Sequence, residues 1–304
     1  MLSLDIASPI ERERLGALRA EAWGGALTEA QFLERNRRLY QHDYGKNKIT
    51  TYVLRNDAGA ICASMDVLQV PLLYKSGEGV LALEGGLIAS VITAPRDRRK
   101  GYASQLLTQF RDQNPNWSGV LYSDIGPPFY ERFGFRATLV RVREEPAIVG
   151  RSLVSALAYD EGVSCLARAK RESLQRAAGP AATLFTDALW LDWHIERYRY
   201  FAELSQRVFP AATFYEVSHP EQTHFLFALP NHPYGRLEVL WIAQGCRECE
   251  AAVKTLSGSL GLKKTVWWSE DLSSGSGKTE CPMMRLAPSF SEPRFVAPQL
   301  CDWW

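Results

Sequence analysis

The sequence lacks an excess of charge of either sign: 35 Lys and Arg residues stand against 34 Asp and Glu, a formal net charge of +1. Such a chain has no global field to draw in nucleic acid or an anionic membrane, so neither is an expected partner. Also missing is any apolar run near the roughly 20 residues that a membrane span needs. The first residues, MLSLDIASPIERERL, show no basic stretch followed by an apolar one, the mark of a secretory signal. Cysteine is sparse: Cys62, Cys165, Cys246, Cys249, Cys281 and Cys301 are scattered through 304 residues, without the density of a secreted disulfide scaffold. The expectation is a cytoplasmic protein in a reducing compartment. The 5 histidines show no metal-ligand spacing, and 46% hydrophobic with 11% aromatic content excludes a disordered chain. What remains is a globular protein of one or two domains whose function rests on local sites.

The first half reads as alternating elements. Leu2 to Ile6 is a short strand, and Ser8-Pro9-Ile10-Glu11 has the form of a capping box opening a helix that ends at Gly24-Gly25. A second helix is expected from Thr28 to Tyr40. Three stretches rich in β-branched and aromatic residues follow, Ile49–Arg55, Ile61–Tyr74 and Val80–Thr93, separated by turns at Asn56–Gly59 and Lys75–Gly79. They predict an antiparallel meander whose last strand, Leu87–Thr93, is apolar enough to be covered on both faces.

The character changes after Thr93. Ala94-Pro95-Arg96-Asp97-Arg98-Arg99-Lys100-Gly101-Tyr102-Ala103 leads into a helix with Ala103, Leu106, Leu107 and Phe110 on one face, stopped at Asn114-Pro115. A strand, a basic glycine loop and a helix N-terminus together make an anion site from backbone N–H groups and the positive end of the helix dipole. The pattern is neither a Walker loop nor a dinucleotide fingerprint.

At these residues the chain resembles the GNAT superfamily of acyl-CoA N-acyltransferases, whose pyrophosphate loop has the form Arg/Gln-x-x-Gly-x-Gly/Ala; here it is Arg98-Arg99-Lys100-Gly101-Tyr102-Ala103. A second match lies at the expected distance, in Leu121-Tyr122-Ser123-Asp124-Ile125-Gly126-Pro127-Pro128-Phe129-Tyr130 followed by Glu131-Arg132-Phe133-Gly134-Phe135. The resemblance covers about residues 1–145, and within the superfamily this run is most similar to the fungal lysine N-acetyltransferase family. It implies a GNAT fold, α/β (α+β) with a mixed, mostly antiparallel sheet and flanking helices, and acetyl-CoA as cosubstrate with no metal. It further implies that the strand ending at Thr93 splays from the one ending at Ser123, and that Val91 and Thr93 pair with pantetheine. The loop residues Arg98 to Ala103 hold the pyrophosphate, and Tyr130 is the general acid at the sulfur. The alternative for Tyr130 is a packed aromatic in a short helix.

The general base departs from the family pattern, because the usual acidic position falls on Leu87. Glu84, followed by Gly85-Gly86, is a candidate base or ammonium ligand; otherwise it is a surface glutamate. Asp124 is a candidate for holding a cationic substrate, its alternative being a helix N-cap. Deprotonation by water remains open.

Composition shifts across residues 146–182, a connecting segment, and a second domain is expected over 183–304. It holds a Trp- and Tyr-rich helix (186–207), strands at 212–217, 223–229 and 237–243, a helix at 247–260 and a strand at 265–269. This order echoes the first domain without its glycine loop, and reads as a degenerate GNAT-like domain that shapes the substrate pocket, or as an unrelated α+β domain. On the helix, Trp190, Trp193, His194 and Tyr198 share a face, and this stripe is either core or an aromatic wall; Trp190 and His194 are the substrate candidates. Gly275-Ser-Gly-Lys-Thr279 imitates a Walker loop but lacks its first glycine, since Leu272 stands there. Cys246-x-x-Cys249 has no second pair and no nearby His in sequence, which argues against zinc. The terminal Trp303-Trp304 suggests a docked end.

The function these features predict is transfer of acetyl to the primary amine of a small molecule, best a lysine-like side-chain amine. Antibiotic, polyamine or pathway-intermediate acceptors would use the same core. The contrasting readings are an aminoacyl-tRNA-dependent transferase, against which near-zero net charge argues, and an acyl-CoA-binding regulatory pseudoenzyme, which would need no general acid. Nothing in the residues bears on the oligomeric state.

Overall fold

The computed structural model describes residues 2–77, 79–150, 154–217, 224–242, 246–269, 279–280, 282–288, 290 and 294–295. Strand β1 (Ser3–Ile6) leads into helix α1 (Pro9–Trp23). Its capping box forms as expected, the Ser8 amide donating to Glu11 Oε2 at 2.9 Å while the Ser8 hydroxyl accepts from the Glu11 amide at 3.4 Å. Helix α2 (Glu29–Gln41) is capped in the same way by Thr28 and Gln31, and a short α3 (Asp43–Lys48) follows. Then come β2 (Ile49–Arg55), β3 (Ile61–Gln69), β4 (Leu72–Ser76), β5 (Gly79–Leu83), β6 (Gly85–Thr93), α4 (Tyr102–Gln113), β7 (Ser118–Tyr122), α5 (Pro127–Glu131), β8 (Arg136–Ala137) and β9 (Val140–Pro146). The remainder is β10 (Val154–Ala156), α6 (Tyr159–Arg176), β11 (Ala181–Leu184), α7 (Ala188–Leu204), β12 (Phe214–Val217), β13 (His224–Asn231), β14 (Arg236–Trp241), α8 (Arg247–Ser259), β15 (Lys264–Ser269), β16 (Thr279–Glu280), β17 (Pro282–Arg285) and β18 (Arg294–Phe295).

The described strands form three sheets. The first has the order β1-β2-β3-β6-β7-β17-β8, antiparallel except for the β6–β7 pair, which α4 connects. The second, β10-β12-β13-β14-β15-β9-β16, repeats the theme, with β14 and β15 parallel and α8 between them. The third joins β18, β11, β4 and β5. No described helix is long and apolar enough to cross a membrane.

Three expectations need correction here. The predicted runs Ile61–Tyr74 and Val80–Thr93 each break in two, and β4 and β5 leave the meander to pair with each other and, through β4, with β11. Pro71 stands at the first break and has no N–H to give to a ladder. The Gly85-Gly86 pair serves close packing rather than a bend that re-aims Glu84: a Cβ on Gly85 would lie 2.4 Å from the Ser118 carbonyl oxygen, and one on Gly86 2.4 Å from that of Leu68. The sheets also ignore the boundaries expected at 145 and 182. Strand β17 inserts between β7 and β8 of the first sheet, and β9 crosses into the second beside β15. The largest apolar cluster accordingly runs through both halves, from Leu39 and Leu87 to Trp193, Phe214 and Met284. The Ser/Gly stretch 271–278 and Trp303-Trp304 lie outside the described residues.

Candidate active site

The site is created by two irregularities of β6. On its β3 side, Ser64 pairs with Ile92 and Asp66 with Ala89, so Ser90 and Val91 together face Met65. This is a bulge, and Ser90 has the positive φ of 52° that such a kink imposes. A bulged residue leaves the ladder, which frees backbone groups for a ligand. On its other side, β6 pairs with β7 only as far as Ile88 and Leu121, then runs on to Thr93 alone. The expected splay between these strands is therefore present.

A cavity of about 650 Å³ opens at the divergence. On one side it is lined by Val91, Ile92, Arg98, Ala103, Phe129 and Tyr130. Helices α1 and α2 contribute Trp23, Phe32 and Arg35, and the second half of the chain contributes Arg197, Tyr198 and Glu238. Thr93 ends β6 half-buried beside this lining, and Arg99, Lys100, Gly101 and Tyr102 form the turn that leads from it into α4.

The loop's conformation follows from its sequence. Arg99 and Gly101 are both left-handed, with φ of 64° and 80°, and Gly101 is the N-cap of α4 without any side-chain cap bond. The first-turn N–H groups are thus left for an anion. A Cβ on Gly101 would meet nothing within 4 Å, so its φ, not crowding, calls for glycine, and the space around it is open. The charge is more focused than four basic residues in the five positions 96–100 imply. Asp97 accepts from Lys100 Nζ at 3.0 Å and from Arg96 Nε at 3.3 Å, and these bonds hold its carboxyl below the usual range. Among the described residues Arg98 and Arg99 make no ion pair, and Arg98 points its surface into the cavity lining.

Tyr130 is 7% exposed, its ring packed edge-on against Phe129 at 4.9 Å. Burial, then the nearby Asp124 charge, pushes its pKa up to about 12, so the phenol keeps its proton throughout the neutral range. Asp124 is exposed at the rim and accepts from Trp23 Nε1 at 3.0 Å; the N-cap of α5 is Gly126 instead. Glu84 is not brought in. It is exposed before the start of β6, six residues from Ser90, or about 20 Å along the strand.

Trp190 and His194 are core rather than wall. Both are 1% exposed and absent from the cavity lining. Trp190 sits edge-on against Tyr44, and burial, with Arg197 and Lys170 nearby, keeps His194 neutral by lowering its pKa well below the usual value. Helix α7 turns this face inward, and the residues it gives to the cavity are Arg197, Tyr198 and Phe201. Sequence reasoning also missed Glu238, which is 7% exposed. It accepts from the Tyr198 hydroxyl, from Asn231 Nδ2 at 3.0 Å and from Arg236 Nε at 2.8 Å. Arg236 and Glu238 at i and i+2 on one strand face were the available signal.

Beneath the cavity Arg19 and Asp66 form a buried ion pair, 1% and 0% exposed at the side chain, with bonds of 2.7 and 3.0 Å. Tyr40 and Thr51 donate to the same carboxylate at 2.8 and 2.6 Å. Burial works against the Arg19 charge, but Asp66 and Tyr40 outweigh it, and its pKa stands above the ordinary value. Far along the chain, the fold corrects the expectation that no histidine stands near Cys246-x-x-Cys249. The start of β13 meets the start of α8, and donor atoms of His224, Cys246 and Cys249 all lie within 4.8 Å of one another.

Residues 7–138 match the model of the acetyltransferase (GNAT) domain. Solved structures share the fold of nearly the whole chain. A probable N-acyltransferase of Enterococcus faecalis V583 is 15% identical with a TM-score of 0.60, the match covering 94% of this chain and 73% of that one. A GCN5-related N-acetyltransferase of Kribbella flavida is 15% identical at a TM-score of 0.57, covering 94% and 72%. A glucosamine N-acetyltransferase region of a fungal multi-domain β-N-acetylglucosaminidase is 13% identical at 0.55, covering 93% and 38%. Comparison with curated proteins gives no match. Residues 7–138 are thus similar to the acetyltransferase (GNAT) domain, and the solved structures share the fold of nearly the whole chain.

Proposed function

We propose that this chain is an acetyl-CoA-dependent N-acetyltransferase acting on the primary amine of a small molecule, with the side-chain amine of lysine or a lysine-like compound as the best specific acceptor. The observation that carries the reading is the divergence of β6 and β7 beyond Ile88 and Leu121, with a left-handed basic loop at one end of the resulting cavity and a buried tyrosine in its wall. Acetyl-CoA, when bound, supplies the activated acetyl group. Arg98, Arg99 and the N–H groups after Gly101 hold its pyrophosphate, and Lys100, Tyr102 and Ala103 complete that turn. Backbone groups of Val91 and Thr93, on a strand edge that has lost its β7 partner, pair with pantetheine. An N–H at the bulge faces the carbonyl oxygen and stabilises the charge that develops there.

On the acceptor side Asp124 holds the cationic amine at the rim. The ammonium first gives one proton to water, and attack by the freed lone pair then forms the C–N bond as the C–S bond breaks. Tyr130 Oη gives its proton to the departing sulfur and regains one from solvent, and the nitrogen loses its extra proton to water or to Asp124. Glu84 has no part in this scheme. Support for the small-molecule acceptor comes from the cavity itself, which is roofed by both halves of the chain and bounded by Trp23, Phe32 and Phe201. Thermal-shift titration checks the cofactor half: acetyl-CoA at 100 times its dissociation constant is expected to stabilise the fold by about 2.7 kcal/mol. The reading fails if the melting temperature does not move.

A further inference from the structure

The second sheet carries a cluster of chemistry-bearing side chains on its face away from the cavity. Along β13, Leu226 and Ala228 pack against α8 with Ala252, Val253 and Leu256, while Phe227 and Leu229 turn to the core on the other side. His224 stands two residues before Leu226, so strand alternation puts it on the α8 face. There it meets the start of the helix. Cys246 is the N-cap of α8, and Cys249 lies three residues on, in its first turn. Donor atoms of the imidazole and of both sulfurs all lie within 4.8 Å of one another. Among the described residues no other group of three His, Cys, Asp or Glu side chains converges in this way. Cys249 is fully buried, and Cys246 and His224 are half-buried. The Cys249 N–H donates to Cys246 Sγ at 3.3 Å, and the positive end of the helix dipole favours a thiolate at that cap. Cys246 Sγ in turn donates to Glu248 Oε2 at 3.7 Å, an exposed carboxylate that can pass the thiol proton to solvent.

We infer that His224, Cys246 and Cys249 form a zinc site that ties the start of β13 to the start of α8, with water in the fourth position. A dithiol alone would suit a disulfide. An imidazole brought to the same point adds nothing to a disulfide and supplies the third ligand of a metal. Two sulfurs and a nitrogen select Zn2+ over Mg2+ or Ca2+, whose ligands are oxygens. In a tetrahedral zinc shell such donors stand roughly 3.5–3.8 Å apart, and a contraction of about 1 Å lies within the swing of a side-chain torsion. Binding forms one Zn–N and two Zn–S bonds and releases the two thiol protons. None of the three side chains lines the cavity, so the ion acts on the fold and has no part in acyl transfer.

The test uses the full-length protein, reduced and stripped of metal, titrated with Co2+ and then with Zn2+. Uptake of a single Co2+ per chain is expected, with the sulfur-to-cobalt charge-transfer absorption of a thiolate site and the visible bands of tetrahedral cobalt. Zn2+ should bleach both signals and raise the melting temperature. His224→Ala, Cys246→Ser and Cys249→Ser are each expected to weaken binding by about 100-fold or more, beyond what losing a ligand's hydrogen-bond partner costs. Circular dichroism checks that each variant is folded. Should Cys249→Ser fail to fold, X-ray absorption at the zinc edge of the wild type decides, with two sulfurs and one imidazole expected. Joint replacement of Cys281→Ser and Cys301→Ser is expected to leave binding unchanged. Absence of the charge-transfer absorption in the wild type overturns the site. So does full affinity in His224→Ala, or binding that disappears with Cys281 and Cys301. A reduced protein that takes up no metal and in air forms only a Cys246–Cys249 disulfide assigns the pair to redox chemistry, and also overturns it.

Discussion

In the proposed reaction Tyr130 has the largest part of any one residue. Its phenol is buried in an aromatic nest and its pKa raised to about 12 by that burial and by Asp124. A group with a raised pKa stays protonated up to that value, so the acid form is present across the working range. Turnover should therefore climb with pH as the acceptor amine loses its proton, with no descending limb from Tyr130 below about pH 10; a pH–rate profile of kcat checks this. Tyr130→Phe keeps the packing and removes the proton. It is expected to lower kcat by about 100-fold or more while acetyl-CoA stabilisation is retained, and single-turnover kinetics beside thermal shift separate the two effects. The short helix around Tyr130 and the glycine turn before α4 were both legible from local spacing, because each is shaped within its own short segment. Glu84 was misplaced for the opposite reason: its role was inferred from the flexibility of Gly85-Gly86, whereas those glycines answer to the backbones of Ser118 and Leu68 from distant strands.

At the scale of elements, the site depends on β6 holding one neighbour while losing the other. On the β3 side its position is fixed by Asp66, whose carboxylate ties α1 through Arg19, α2 through Tyr40 and β2 through Thr51. Asp66→Asn leaves the Arg19 guanidinium buried without its counter-charge, and a loss of about 3–5 kcal/mol of stability is expected in chemical denaturation. A loss under about 1 kcal/mol would show that the network does not anchor the bulged strand. Helix boundaries were largely visible in the sequence: the capping boxes at Ser8 and Thr28, the stop at Asn114-Pro115 and the periodic face of α4 all formed. The strands were harder to read. An apolar run does not tell which sheet it joins, and the departure of β4 and β5 is decided by pairing with β11, more than a hundred residues later in the chain. The bulge at Ser90 was invisible for the same reason, since it is a mismatch between two strands rather than a property of one.

The whole molecule is more interwoven than a two-domain reading implies. Strand β17 completes the first sheet by pairing with β7 through four residues, Pro282 to Arg285. Met283 is fully buried in the same apolar cluster as Ile88, Tyr130 and Phe135. A fragment ending at residue 145 would leave the β7 edge open and that cluster incomplete. Such a fragment is expected to lack a cooperative thermal transition by circular dichroism; a sharp transition with native-like signal would show that the first half folds alone. The same interweaving explains why the acceptor side of the site was not read from sequence. Arg35, Arg197, Asn231 and Glu238 meet only when α2, α7, β13 and β14 close over the end of β6, and no local motif links them. The overall charge balance likewise concealed a cavity lined by several guanidiniums. In the proposed function this cavity transfers acetyl from acetyl-CoA to an amine. The most direct measurement is amine-dependent thiol release by the purified full-length protein, with acetyl-CoA and a panel of amino acids, amino sugars and diamines. Release is expected to require both acetyl-CoA and an amine, with a stoichiometric amide product by mass spectrometry. Acetyl-CoA left intact in the presence of every amine would contradict it.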